Sequence, residues 1–310
     1  MPPVVHDDTP LSGALKRRIR FVINPVAGTR RKHRIPDKIE RMLDKERYDF
    51  DIVYTQGRGH ATQLAAEAAA EGWDVLAIAG GDGSVNEAAT GLLGTKTALA
   101  ILPMGSGNGL ARHLGYSPWV KSTFQVINTG VTADIDVGYV NDQAFFSLVG
   151  IGFDAFVAKL FDREKTRGLA TYGLAAMAGL LRYDGIRFSL ESPVRNLEEE
   201  AFMINVCNAN QYGYDFRVAP DASVTDGYFD VVWTERFPKR HALKLVYDLA
   251  TENHLASPFV HRFQTDSLVV QVPERAHLQV DGEPRKKARE FAFRMEAAAL
   301  RVLVNPHTHL

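Results

Sequence analysis

The chain has 310 residues, 45% of them hydrophobic and 24% charged, a globular balance that excludes a disordered chain. Its 36 Lys and Arg against 37 Asp and Glu leave a formal charge of −1, which excludes bulk electrostatic binding of nucleic acid. The single cysteine, Cys207, excludes an intramolecular disulfide framework and a cysteine-based zinc cluster, and reads as a small buried residue of a strand.

In chain order, the first residues (MPPVVHDDTPLSG) lack the charged, apolar, small-residue order of a signal peptide. Arg20–Ile23 is a β-rich apolar run that stops at Asn24-Pro25. A helix is predicted from Pro36 to Lys45, Pro36 suiting a first helical position. Asp49–Tyr54 reads as a second strand. His60–Glu71, Ala-rich and closed by Gly72, reads as a helix. Val75–Ala79 and Ala98–Leu102 are short apolar strands. This alternation implies βαβ units and a largely parallel sheet, so residues 1–134 are expected to form an open α/β domain.

After about Thr132 the rhythm changes. Ile135–Val140 and Gln143–Ile151 flank Asn141-Asp142, an acceptable two-residue hairpin turn. Further strands are predicted at Ile186–Leu190, Phe202–Cys207, Tyr228–Trp233, Ser267–Val272 and His277–Val280. Helical patterns fall at about Asp154–Leu181 and Lys239–Leu249. Residues 135–295 are therefore expected to form a β-rich domain, an antiparallel sandwich, with Leu300–Val304 able to finish either domain. The longest apolar stretch, Leu169–Leu181, is shorter than the roughly 20 residues a membrane span needs, and a cytoplasmic protein is expected.

Four loops follow predicted strands and suit close backbone approach to an anion. Asn24-Pro25-Val26-Ala27-Gly28 leads into Thr29-Arg30-Arg31-Lys32. Thr55-Gln56-Gly57-Arg58-Gly59-His60 opens the Ala-rich helix. Gly80-Gly81-Asp82-Gly83-Ser84 is followed by Asn86 and Glu87, and Pro103-Met104-Gly105-Ser106-Gly107-Asn108-Gly109 also precedes a helix. Each stands at the carboxyl end of a predicted parallel strand, where ligands bind in open α/β folds. Glycine lets amide N–H groups point at phosphate, and a helix N-terminus adds positive dipole. A P-loop, the protein-kinase motifs, HExxH and GxSxG are all missing from the sequence. Gly150-Ile151-Gly152-Phe153-Asp154-Ala155 matches a dinucleotide fingerprint, but its strand follows a hairpin instead of opening a βαβ unit.

Asn24-Pro25-x-x-Gly28, Gly80-Gly81-Asp82-Gly83-Ser84-x-Asn86-Glu87 and Pro103-x-Gly105-Ser106-x-Asn108, in that order, resemble the diacylglycerol kinase catalytic domain. More closely, the chain resembles the soluble bacterial lipid kinases that share this domain with sphingosine and ceramide kinases. The likeness extends to Asp226-Gly227-Tyr228-Phe229-Asp230 and Val280-Asp281-Gly282-Glu283. It implies ATP-dependent, Mg²⁺-assisted phosphorylation of a lipid hydroxyl in a cleft between the two domains, with residues 296–310 returning to the first. By that resemblance Asp82 is the base or Mg²⁺-organising carboxylate, and Glu283 the second catalytic carboxylate. Asn24, Gly28, Thr55, Gly80, Gly81, Gly83, Ser84, Glu87, Gly105, Ser106 and Asn108 would form the nucleotide site. Asp226, the Tyr228 carbonyl and Asp281 would hold metal. The expected partners are ATP and a membrane lipid, met by transient contact with the inner membrane surface. Exposed strand edges admit a homodimer.

Plainer readings stand beside these. Ser84 and Glu87 fit an S-x-x-E capping box, and Asp281-Gly282 is a good hairpin turn. His60 reads as a loop hydrogen-bonder. Arg30, Arg31, Lys32 and Arg34 are either a solvated face or phosphate ligands. Arg285, Lys286, Lys287 and Arg289 are either a solvated hairpin or a patch for anionic lipid. Leu169–Leu181 is a core helix or the lining of an acyl-chain cleft. Because the GGDG element is shared with NAD kinases, a soluble acceptor such as NAD is the alternative substrate. A non-catalytic nucleotide sensor is the alternative of another class.

Overall fold

The computed structural model describes residues 5–6, 16–27, 34–117, 119–162, 183–213, 216–308 and 310. The chain divides into two compact units, residues 1–136 with 297–310, and residues 137–296.

The first unit is built on strands β1 (Val5–His6), β2 (Arg17–Ile23), β3 (Tyr48–Tyr54), β4 (Val75–Gly80), β5 (Ala98–Pro103) and the start of β6 (Val131–Val140). Its helices are α1 (Ile35–Met42), α2 (His60–Ala70), α3 (Asp82–Leu92), α4 (Gly109–His113) and α5 (Val120–Thr129). The strands run in the order β3-β2-β4-β5, every pair parallel. The reason lies in β4 and β5, whose VLAIAG and ALAIL residues are buried throughout, as a sheet covered on both faces requires. Phe21, Ala77, Ala100, Phe124, Ile127 and Leu303 meet in one core. Two buried phenols tie the layers: Tyr48 donates to the Ile127 carbonyl at 2.9 Å, and Tyr116 to that of Leu303 at 2.6 Å.

The second unit contains β7 (Gln143–Phe145), β8 (Leu148–Gly152), α6 (Phe153–Asp162), β9 (Ile186–Glu191), β10 (Asn196–Cys207) and β11 (Phe229–Glu235). It continues with α7 (Ala242–Ala250), β12 (Val260–Thr265), β13 (Ser267–Val280) and the greater part of β14 (Glu283–Val304). Its strands run β12-β11-β10-β8-β13-β14, with antiparallel pairing. β9 also bridges β10 and β13, so β8 and β9 link the same two long strands in separate stretches. Phe145, Phe188, Phe229, Trp233, Phe291 and Phe293 fill the core between these strands. Cys207 lies fully buried in β10.

Several elements differ from expectation for physical reasons. The hairpin at Asn141-Asp142 is present, with Val140 opposite Gln143. The strand expected over Gln143–Ile151 breaks between Phe145 and Leu148, because the N–H groups of Phe146, Ser147 and Leu148 turn to the Asp281 carboxylate. The two runs Ser267–Val272 and His277–Val280 are one strand, β13, with register irregularities between Gln271 and Leu278. The basic run Arg285–Arg289 is part of β14. The helix expected over Asp154–Leu181 is described for Phe153–Asp162; the stretch Leu169–Leu181 lies outside the described residues. Among the described residues no helix is long and apolar enough to cross a membrane.

Candidate functional site

Register places four loops along one edge of the first unit's sheet. Ile23 is opposite both Tyr54 and Ala79, and Gly80 is opposite Pro103, so the carboxyl ends of β2, β3, β4 and β5 are level. The ladder runs on into the loops: Asn24 N–H donates to Ala79 O at 3.0 Å, Thr55 N–H to Ile23 O at 3.0 Å, and Met104 N–H to Gly80 O at 2.8 Å.

Side chains then lace three of these loops together. The Asn24 amide donates to the Ser84 hydroxyl at 2.8 Å, while its own oxygen accepts from Val26 N–H at 3.0 Å. The Asp82 carboxylate accepts from Asn108 N–H at 2.9 Å and Gly109 N–H at 2.8 Å, one on each oxygen. The Asn108 side chain closes its own loop, accepting from Gly105 N–H at 3.0 Å and donating to Gly105 O at 2.8 Å. Asn108 holds φ 56°, a left-handed conformation that asparagine tolerates better than most residues. The approach between loops is backbone on backbone: a Cβ on Gly105 would stand 2.6 Å from Gly81 Cα.

Ser84 departs from the capping-box reading. Gly81 is the N-cap of α3, with no side-chain cap, and Ser84 lies inside the helix, where its hydroxyl serves Asn24. A Cβ on Gly80 would collide with Ser84, which accounts for that glycine by packing. The uncapped start of α3 aims its dipole and first N–H groups into the loop cluster, the arrangement that receives phosphate elsewhere. Gly83 and Glu87 lie in this helix, Thr55 is buried beside the edge, and Ser106 is exposed. His60 is a loop hydrogen-bonder, its Nδ1 accepting from Gln56 N–H at 2.9 Å. Gly28, Arg30, Arg31 and Lys32 lie outside the described residues.

In the second unit Asp281 and Gly282 form a two-residue turn with φ 48° and 80°, opposing Val280 to Glu283. The Asp281 carboxylate is buried and accepts from three main-chain amides, Phe146 at 3.0 Å, Ser147 at 2.8 Å and Leu148 at 3.2 Å. Asp226 accepts from Tyr228 N–H at 3.0 Å, a local turn. Among the described residues no group of three His, Cys, Asp or Glu side chains could hold a metal. Asp281 has a structural task in this geometry, fixing the turn over Phe146, Ser147 and Leu148, while Asp226 and Tyr228 share a local turn.

One cluster escaped the sequence reading. Gly150 of β8 is paired with Asn205 of β10 on one side and Gln279 of β13 on the other. The Asp154 carboxylate occupies the space that a Cβ on Gly150 would need, which is the physical content of the GIGFDA match. Gln279 donates to Asp154 Oδ2 at 3.1 Å, and its oxygen accepts from Gly282 N–H at 2.7 Å. Burial pushes the Asp154 carboxyl up to about 6, against hydrogen bonds from Tyr212 and Gln279. A glycine four residues before an acid was the only local signal, since Asn205 and Gln279 arrive from distant strands.

Residues 18–140 match the diacylglycerol kinase catalytic domain family, and residues 147–304 the YegS C-terminal NAD kinase beta sandwich-like domain family. The chain is 28% identical over 273 residues to a diacylglycerol kinase of Bacillus subtilis, covering 86% of this chain and 90% of that one. It is 27% identical over 277 residues to a diacylglycerol kinase of Staphylococcus saprophyticus, covering 87% and 90%. Among solved structures, a diacylglycerol kinase from Bacillus anthracis superposes with TM-score 0.70 at 18% identity, covering 94% of this chain and 98% of that one. An NAD kinase from Archaeoglobus fulgidus in complex with ATP superposes with TM-score 0.54 at 12% identity, covering 94% and 95%. Likeness at these structural identities speaks for the fold.

Proposed function

The chain belongs to the diacylglycerol kinase catalytic-domain family, kinases that act on lipid alcohols, and from that premise we propose that it transfers the γ-phosphate of ATP to the hydroxyl of a diacylglycerol-like lipid. The observation that carries the proposal is the lacing of three glycine-rich loops by Asn24–Ser84 and Asp82–Asn108 at the level carboxyl ends of parallel strands. Phosphoryl transfer asks a protein mainly for positioning and charge stabilisation, and backbone amides held by such lacing supply both.

The nucleotide phosphates lie against Gly81, Gly83 and Gly105, with Asn24, Thr55, Ser84, Glu87, Ser106 and Asn108 shaping the loops around them. Asp82 accepts the proton of the lipid hydroxyl, its carboxylate oriented by the Asn108 and Gly109 amides, one on each oxygen. Glu283, first residue of β14, is the supporting carboxylate. Mg²⁺ enters as part of the co-substrate, MgATP, because a magnesium ion keeps several waters and binds chiefly through phosphates and one or two carboxylates.

The test is transfer of labelled γ-phosphate to lipid hydroxyls in mixed micelles, with NAD as the soluble acceptor and Asp82→Asn and Glu283→Gln alongside. Label enters a lipid with the wild type, and Asp82→Asn lowers kcat at least ~100-fold. Near-normal turnover by Asp82→Asn refutes the assigned base. Label in NAD alone replaces the lipid with a soluble substrate, and ATP bound without transfer to any acceptor makes the protein a sensor.

A further inference from the structure

The hairpin that leads to Glu283 is fastened from inside the second unit. Its two turn residues are Asp281 and Gly282, and after them Glu283 opens β14 opposite Val280. Packing does little for the tip: among the described residues no atom lies within 4 Å of the place a Cβ on Gly282 would take. Glycine is also the residue whose backbone its own side chain restrains least. The ladder is thin just beyond the turn, since Pro284, opposite Gln279, has no N–H to donate. A carboxylate carried on such a hairpin needs another hold if it is to keep one position.

Gln279 supplies that hold. It is 1% exposed and lies opposite Gly150 of β8. Its Oε1 accepts from Gly282 N–H at 2.7 Å, and its Nε2 donates to Asp154 Oδ2 at 3.1 Å. Asp154 is itself wedged over Gly150, so it does not follow a moving turn. With Nε2 committed to a carboxylate, Oε1 is the end of the amide that meets Gly282. The first turn residue is fastened separately, through the amides of Phe146, Ser147 and Leu148 on the Asp281 carboxylate. A buried acid and amide stabilise a core no better than apolar side chains of the same shape, so what the pair holds is its explanation.

We propose that Gln279, backed by Asp154, is the positioning residue that sets Glu283 for phosphoryl transfer. The inference rests on the reading of Glu283 as the supporting carboxylate, and Gln279 acts through the turn.

Two readouts on the full chain test it. Hydrogen exchange reports the turn without reference to any reaction: Gly282 N–H exchanges at least ~tenfold faster in Gln279→Leu than in wild type, while the amides of β10 keep their rates. Phosphorylation of dioctanoylglycerol in detergent micelles by MgATP reports the carboxylate: Gln279→Leu lowers kcat at least ~tenfold and leaves KM for ATP unchanged. Introduced into Glu283→Gln protein, the same substitution costs nothing further, because no carboxylate is left to misplace. Gln279→Glu alone sets two carboxylates against each other and is as slow as Gln279→Leu. Adding Asp154→Asn restores kcat, since the new amide at position 154 donates to the carboxylate at 279, whose other oxygen still accepts from Gly282. Equal losses in the wild-type and Glu283→Gln backgrounds mark a merely structural residue and overturn the proposal. Unchanged Gly282 exchange, or a double variant as slow as Gln279→Glu, overturns it too. If Glu283→Gln is slow and Gln279→Leu is not, the proposal alone falls. Wild type that leaves the lipid unlabelled, or Glu283→Gln that turns over normally, removes the role of Glu283 and the proposal with it.

Discussion

Asp154 shows at the scale of one residue how a glycine and an acid define each other. Its carboxylate lies over Gly150, only 5% exposed, with Oδ2 held by Gln279. The folded protein therefore prefers the neutral acid, and its pKa of about 6 lies above the ~3.9 of an unfolded chain. A raised pKa means the native state holds the proton more tightly. The stabilisation is complete below about pH 4 and is lost as pH rises through about 6, a total of ~3 kcal/mol. Asp154→Asn removes that dependence while keeping an oxygen for Gln279. Urea unfolding of both proteins between about pH 4 and pH 7 should show the variant gaining on wild type by up to ~3 kcal/mol, then running level. A difference independent of pH would mean that the carboxyl titrates normally. Ser84 marks the limit of local reading at the same scale: S-x-x-E spacing points to a cap, yet its hydroxyl serves Asn24, 60 residues away.

The strand–loop–helix element is where the sequence was most legible. Apolar runs, glycines and Ala-rich segments are local signals, and they located β2, β4, β5, α2 and the four loops to within a few residues. What joins the loops is long-range and left no pattern: Asp82 meets Asn108 across 26 residues, and Gly105 lies against Gly81. The first part of β14, before the Leu300–Val304 run, was missed for another reason. Arg285, Lys286, Lys287 and Arg289 are poor strand formers, and only Phe291 and Phe293, paired with Val270 and Leu268, carry the alternation that core burial imposes. The close loop approach yields a direct prediction. Gly105→Ala sets a methyl 2.6 Å from Gly81 Cα and 2.9 Å from Asn108 Oδ1, so the two loops must part. ATP affinity should fall at least tenfold, read by calorimetry, while the circular dichroism spectrum stays that of wild type. Unaltered affinity would show that the nucleotide does not rest on this contact.

At the scale of the molecule, the first unit is not one stretch of chain. The four glycine-rich loops all lie within residues 24–109, yet the unit is completed by residues 297–310 after the whole second unit has intervened. Val302 of β14 pairs in parallel with Leu99 of β5, Gly94 N–H donates to Ala299 O at 3.1 Å, and Arg301 grips Asp134 at 2.8 Å. Leu300, Val302, Leu303 and Val304 are all buried to within 1%. Burial of side chains of this size contributes ~1.5–3 kcal/mol each, so the four together supply ~6–12 kcal/mol. That approaches the entire ~5–15 kcal/mol stability of an ordinary domain. A chain ending at residue 296 should therefore lose ATP binding although every loop residue is present. Limited proteolysis should digest its first 136 residues and leave the second unit, whose 137–296 run is continuous. If the truncated chain binds ATP as the full one does, the last strand is dispensable to the site, and the loops must draw their order from β2, β3, β4 and β5 alone.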